Sequence, residues 1–150
     1  MENALYIVNI LKAKGFTISA AESCTGGLFA KTITDCPGAS AVLNESYVTY
    51  SPKAKMRLLG VKSETISKYS VVSREVAKEM AEGVRNTASA DIGVSFTGYA
   101  GPDGDEVGLV YAGIATKTET IVKKLTLQGS REEIRQGAVE AVLKELKSIV

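Results

Sequence analysis

The stretch Phe16–Asp35, FTISAAESCTGGLFAKTITD, decides the fold. FTISAA reads as a short strand, and the pair Gly26-Gly27 ends the polar turn that follows it. LFAKTITD then reads as a helix that stops before Cys36-Pro37-Gly38. Strand, turn and helix in so short a span form the repeating unit of a protein with helices laid on a sheet.

The same alternation runs through the chain. MENALYIVNILKAKG predicts an amphipathic first helix, with Leu5, Val8 and Leu11 three apart and Ala4, Ile7 and Ile10 beside them. Lys14-Gly15 stops it, and no small-residue cleavage site follows, so it is not read as a leader. SYVTY (Ser46–Tyr50) is a second extended run. Ser51-Pro52 starts a helix, PKAKMRLL, that ends at Gly60. Ser63 is placed to cap a short helix to Tyr69. Ser73 caps REVAKEMAEGVRNTA, whose Val76, Met80, Val84 and Ala88 share one face.

DIGVSFTG reads as a buried strand ending at Gly98. A turn-rich loop leads from it into LVYAGIAT, and Thr120–Leu127 is its hairpin partner. Ser130 and Glu133 form a capping box for a last helix with Ile134, Ala138, Ala141, Val142, Leu146 and Ile149 on its apolar side. No linker or repeat interrupts the chain, so residues 1–150 are read as one domain with helices on both faces of a mixed sheet.

Composition narrows the function. Apolar residues make up 45% of the chain, and the formal net charge is only +1. That balance, with no tryptophan, argues against nucleic acid and membrane as partners. With the first helix not read as a leader and no apolar run of membrane length, a cytoplasmic protein is expected. The two cysteines, Cys24 and Cys36, lack metal spacing and are expected to be free thiols. Histidine is absent, which removes every Ser-His-Asp and Cys-His arrangement. Any base must be a lysine, a tyrosine, a carboxylate or an amine.

Ligand sites in such folds lie at the carboxyl ends of strands. Three loops stand there: AESCTGG, TYSPKAK and TGYAGPDG. In the first, Ser23 or Cys24 precedes the free amides of a helix start, which favour an anion or a developing oxyanion. The plainer reading is that Ser23 or Thr25 caps that helix. In the second, Lys55 shares a face with Leu58 and Leu59, whereas Lys53 and Arg57 share the outer one. A desolvated ammonium near a helix N-terminus has its pKa lowered, as a general base requires. The alternative for Lys55 is to snorkel to solvent or to pair with an acid such as Glu22. Tyr50 offers either a proton-relaying hydroxyl or strand-end packing. No serine has a lysine three residues on, so a Ser–Lys pair must join separate elements. Asp103 and Asp105 read as turn residues and not as metal ligands.

ESCTGG, VTYSPKAK, and TGYAGPDG followed by VGLVYAGIAT, in this order and spacing, resemble the C-terminal domain of the CinA family, which includes stand-alone nicotinamide mononucleotide deamidases of the PncC type. The resemblance covers nearly the whole chain. It implies a three-layer α/β/α sandwich on a mixed, mostly parallel sheet, and hydrolysis of the mononucleotide carboxamide without a cofactor. It implies Ser23 as nucleophile, Lys55 as base and Tyr50 as assisting hydroxyl. The turn amides of Cys24, Thr25, Gly26 and Gly27 would face the oxyanion. Gly98, Gly101 and Arg131, or Arg135, would meet the rest of the nucleotide. A homo-oligomer, taken as a dimer, is expected.

Two departures from the family pattern bear on substrate. The segment between GPDG and VG is shortened to Asp105-Glu106, and Tyr99 stands where a small aliphatic residue is usual. They keep open a nucleotide-binding module without turnover, or an amidase for another carboxamide. A thiol enzyme using Cys24 is a third reading.

Overall fold

The computed structural model describes residues 1–150. The elements in order are α1 (Glu2–Lys14), β1 (Ile18–Glu22), α2 (Leu28–Thr34), β2 (Tyr47–Val48), α3 (Pro52–Leu59) and α4 (Ser63–Tyr69). There follow α5 (Arg74–Thr87), β3 (Ile92–Gly98), β4 (Leu109–Ala115), β5 (Thr120–Thr126) and α6 (Arg131–Ile149). The strands form one open sheet in the order β2-β1-β3-β4-β5. Helices α1, α2 and α6 cover one face and α3, α4 and α5 the other, giving the expected three layers.

The sheet is mixed, but parallel pairing does not predominate. β1 runs parallel to β2 and β3, and β3-β4-β5 is an antiparallel meander. The reason is loop length, because a parallel crossover needs a helix and the connections on either side of β4 hold only turns. SYVTY contributes just Tyr47–Val48 to the sheet, as an edge strand. Beyond it the chain turns out to begin α3.

Local chemistry sets the helix ends. Gly15 closes α1 in the left-handed conformation, at φ 70°. Ser51 and Ser73 each accept the expected N-cap bond, from the amides of Ala54 and Val76. Ser130 and Glu133 form the reciprocal capping box on α6. Ser63 does not cap α4; it is the first helical residue, and the Glu79 carboxylate binds the Lys62 amide and the Thr65 hydroxyl there instead. Leu5, expected on the buried side of α1, is partly exposed while Ala4, Ile7, Val8 and Leu11 are buried.

The two faces of the sheet are packed differently. Toward α1, α2 and α6 it presents Ile18, Ala20, Val94, Phe96, Ala112 and Ile114, with Phe96 against Phe29 of α2 at 5.7 Å between ring centroids. Toward α5 it presents small residues. The Ser95 hydroxyl donates to the Ala77 carbonyl at 2.6 Å and accepts from the Gly113 amide, so helix and sheet nearly touch. A Cβ on Gly93 would lie 2.2 Å from the Ala81 carbonyl oxygen. That backbone contact cannot yield without moving α5. Gly93→Ala is therefore expected to destabilise the fold by about 1–3 kcal/mol, the usual range for overpacking. It should appear as a lower urea midpoint at unchanged slope. An unaltered midpoint would show that α5 is free to shift.

Candidate active site

Strand alternation places the first pieces. Side chains along β1 point alternately to the two faces, and the turn after it continues the pattern. Glu22 reaches α2, and Ser23 turns toward α3. On α3, Pro52 and Ser51 fix the helix start, so that Lys55 falls on the inner side with Leu59 while Lys53 and Arg57 face water. The Lys55 side chain is 1% exposed. Its Nζ donates to Ser23 Oγ at 3.0 Å and to the Thr49 carbonyl at 2.8 Å. The reading of Lys55 as a snorkelling or Glu22-paired residue is thereby set aside. Burial lowers its pKa from the usual 10.5 to about 8, because desolvation penalises the ammonium and no carboxylate faces it.

Glu22 has a different task. Its carboxylate, 1% exposed, accepts from the Thr25 hydroxyl at 2.7 Å and from the Phe29 and Ala30 amides at 2.8 and 2.9 Å. It thus does for α2 what neither Ser23 nor Thr25 does. The N-cap position itself is Gly27, at φ 103° and without a side-chain cap. Within the turn the Gly26 amide donates to the Ser23 carbonyl and the Leu28 amide to the Thr25 carbonyl. The amides of Cys24, Thr25 and Gly27 have no protein acceptor; Thr25 is fully buried, which leaves those of Cys24 and Gly27 as the candidate donors to an incoming oxygen. Ser23 is pinned from behind by its own amide, which donates to Phe96 on β3.

Cys24 is buried, and burial raises its thiol to about 11, the wrong direction for a nucleophile. Both Cys24 and Cys36 are free. Tyr50 makes no hydrogen bond to the pair. It is 60% exposed, and its hydroxyl accepts from Arg131 Nη2 at 3.1 Å, not from Lys55. Arg131 also donates to the Gly101 carbonyl, so one guanidinium ties α6 to the loops after β2 and β3. Between them lies a cleft of about 240 Å³, lined by Cys24, Tyr50, Gly98, Tyr99, Ala100, Gly101, Asp103 and Arg131. Gly98 is required by space, since a Cβ there would come 2.6 Å from the Leu109 carbonyl oxygen. The three loops named from the sequence therefore meet at one end of the sheet. No group of three or more His, Cys, Asp or Glu side chains is arranged to hold a metal ion.

Three contributions to the site escaped the sequence reading, although Arg135 and Glu22 were named there for other roles. The Thr49 carbonyl is backbone and leaves no side-chain signal. Arg135 Nη2 donates to the Thr25 carbonyl at 2.6 Å and packs on Gly26, a contact across the fold that only the placement of α6 creates. Glu22 was legible in principle, because strand alternation sends it to the face opposite Ser23.

Fold and site together define a mixed-sheet α/β/α protein with a lysine buried against a serine at the carboxyl end of its parallel strands. The particular family follows from comparison: the chain belongs to the CinA family, whose C-terminal domain model matches residues 2–150. A competence-damage inducible protein of Caldanaerobacter subterraneus is 55% identical over 133 residues, 86% of this chain. A CinA-like protein of Kosmotoga olearia is 51% identical over 136 residues, 88% of this chain. The chain spans about a third of the length of these curated relatives (32% and 33%). Among solved structures, a competence/damage inducible protein from Agrobacterium tumefaciens superposes with a TM-score of 0.95 at 36% identity, covering 98% of this chain and 93% of that one. A CinA superfamily protein from Escherichia coli gives 0.94 at 30% identity, covering 99% and 88%.

The lowered pKa of Lys55 has a consequence for stability. Between about pH 8 and the usual 10.5 the unfolded chain binds the proton that the folded chain has lost. Folding therefore gains stability as pH rises through that window, and the cost of burying the ammonium is present in full below it. Wild type should gain stability relative to Lys55→Met as the pH is raised from 7 to 10, measured by urea unfolding at each pH. A pH-independent difference would show that Lys55 titrates normally.

Proposed function

We propose that this chain is an amidohydrolase that converts the carboxamide of nicotinamide mononucleotide to the acid and ammonia through Ser23 and Lys55. The observation that carries the reading is the buried Lys55 Nζ–Ser23 Oγ contact of 3.0 Å, with the lysine pKa drawn down to about 8. It is supported by membership of a family that the ESCTGG, TYSPKAK and AGPDG motifs resemble.

The steps follow from the groups present. Neutral Lys55 takes the Ser23 proton as Oγ attacks the amide carbon. The Thr49 carbonyl keeps Nζ aimed through the transfer. The negative charge that develops on the carbonyl oxygen meets the free amides of Cys24 and Gly27, a donor of this kind lowering the barrier by about 3 kcal/mol. Lys55 then hands its proton to the leaving nitrogen, ammonia departs, and water attacks the acyl-Ser23 ester with the same lysine as base. Tyr50 and Arg131, bonded to one another at the rim of the cleft, bind and orient the substrate beyond the reacting carbon.

A second reading rests on Tyr99. This residue lines the cleft at the turn where the sequence departs from the family pattern, and the adjoining segment is short. An amide smaller than the mononucleotide would fit these changes. Ammonia release across nicotinamide mononucleotide, its riboside and free nicotinamide decides between the two, with the mononucleotide expected to have the highest kcat/KM. Turnover confined to another carboxamide would overturn the substrate, and saturable binding without ammonia would overturn the enzyme.

For the mechanism, Lys55→Ala should lower kcat/KM about 10²–10⁴-fold, the range of a lost general base, and Ser23→Ala should abolish covalent turnover. Cys24→Ala should retain activity. log(kcat/KM) should climb with unit slope at low pH and level off above about 8, where Lys55 is neutral. A profile flat from pH 6 to 9 would remove Lys55 as the base.

A further inference from the structure

Glu22 and Thr25 lie beside the proposed chemistry, and no step of it uses them. Both are fully buried, at 1% and 0% exposure, and their side chains meet at 2.7 Å. Burying a carboxylate without a cation is costly, and the structure offsets that cost with three donors drawn from one short segment. Two are the first-turn amides of α2, and the third is the Thr25 hydroxyl inside the turn. Helix capping alone would be served by the two amides. The Thr25 bond does something more, because it fastens the middle of the turn that carries the free amides to the last residue of β1.

Thr25 is held from two sides. Its hydroxyl goes to Glu22, and its carbonyl accepts from Arg135 at 2.6 Å and from the Leu28 amide at 3.1 Å. Of the two peptide units that flank it, one carries its own buried amide and the other the Gly26 amide, already bonded to Ser23. The Cys24 and Gly27 amides, which have no protein acceptor, lie one unit further out on either side. Ser23, two residues upstream, is fixed by Phe96 and Lys55. The orientation of the donors relative to Ser23 Oγ therefore depends on Thr25, and Thr25 depends on Glu22. A helix N-terminus that already holds a carboxylate also leaves the turn amides, not α2 itself, to meet the oxyanion.

We infer that Glu22, acting through the Thr25 hydroxyl, is a positioning residue that sets the turn amides against Ser23 Oγ. The inference rests on the reading of Ser23 as nucleophile. Its effect is confined to the transition state, since neither side chain reaches the cleft.

The test uses Thr25→Val, which keeps volume and removes the hydroxyl, and Thr25→Ser, which restores it. A fluorophosphonate probe reads the turn independently of substrate. Ser23 Oγ bonds to phosphorus, the phosphorus–fluorine bond breaks, Lys55 takes the serine proton and fluoride leaves. Adduct formation is followed by intact mass well below the melting temperature of each variant. Thr25→Val is expected to label about 10- to 100-fold slower, the scale of a displaced donor. kcat for ammonia release should fall similarly, with KM within about twofold and the pH midpoint unmoved. Thr25→Ser should return both rates to within a few-fold of wild type, and Glu22→Leu, which removes the acceptor oxygens, should label at least as slowly as Thr25→Val.

Labelling of folded Thr25→Val at the wild-type rate would overturn the inference, as would a deficit that Thr25→Ser does not repair. If wild-type Ser23 labels but nicotinamide mononucleotide is not turned over, the substrate reading fails, and the labelling rates alone decide the role of Glu22. If wild-type Ser23 does not label, the nucleophile reading falls and takes this inference with it.

Discussion

A lysine amine buried between a serine hydroxyl and a backbone carbonyl is the constraint on which the site depends. Lys55 has no carboxylate to pair with, and it is nearly sealed from water. An ammonium in that position is penalised, so the neutral amine is reached near pH 8, where an exposed lysine would still be charged. The rest of the structure serves to hold this arrangement in place. The parallel half of the sheet brings β1 beside β2, the cap of Ser51 and Pro52 fixes the phase of α3, and the close seating of α5 on small sheet residues keeps α3 from drifting away.

That account explains why the polar residues of the first loop divide as they do. Adjacent side chains at the end of β1 leave on opposite faces. Glu22 is spent on α2 and Thr25, and Ser23 is left to the lysine. Cys24, although next to the same amides, lies in surroundings that hold its sulfur protonated. Burial therefore acts on the two candidate nucleophiles in opposite ways. It depresses the base of Ser23, and it suppresses the thiolate of Cys24.

Much of this was legible in the sequence, for physical reasons that can be named. The absence of histidine and the helical phase of Lys55 relative to Leu58 and Leu59 made a lysine base one of two readings, and the resemblance to the CinA family favoured it. The Ser51-Pro52, Ser73 and Ser130/Glu133 signals located three helix starts, because capping chemistry is local. Long-range contacts were not legible. Tyr50 was expected as an assisting hydroxyl, and the bond it accepts from Arg131, far along the chain, left no signal. Arg135 meets the serine turn only because α6 packs over α2. The balance of parallel and antiparallel strands was missed because it depends on loop lengths, which hydrophobic patterning does not report.

The central claim is that Lys55, poised on Ser23, gives up its proton near pH 8, well below an exposed lysine, and so serves as the base. A direct measurement is an NMR titration of the Lys55 side chain, using ¹³C-labelled lysine and assigning its Cε resonance by its loss in Lys55→Arg. The account predicts a midpoint near pH 8, set apart from the other lysines. A midpoint with the remainder, near the usual 10.5, would contradict it.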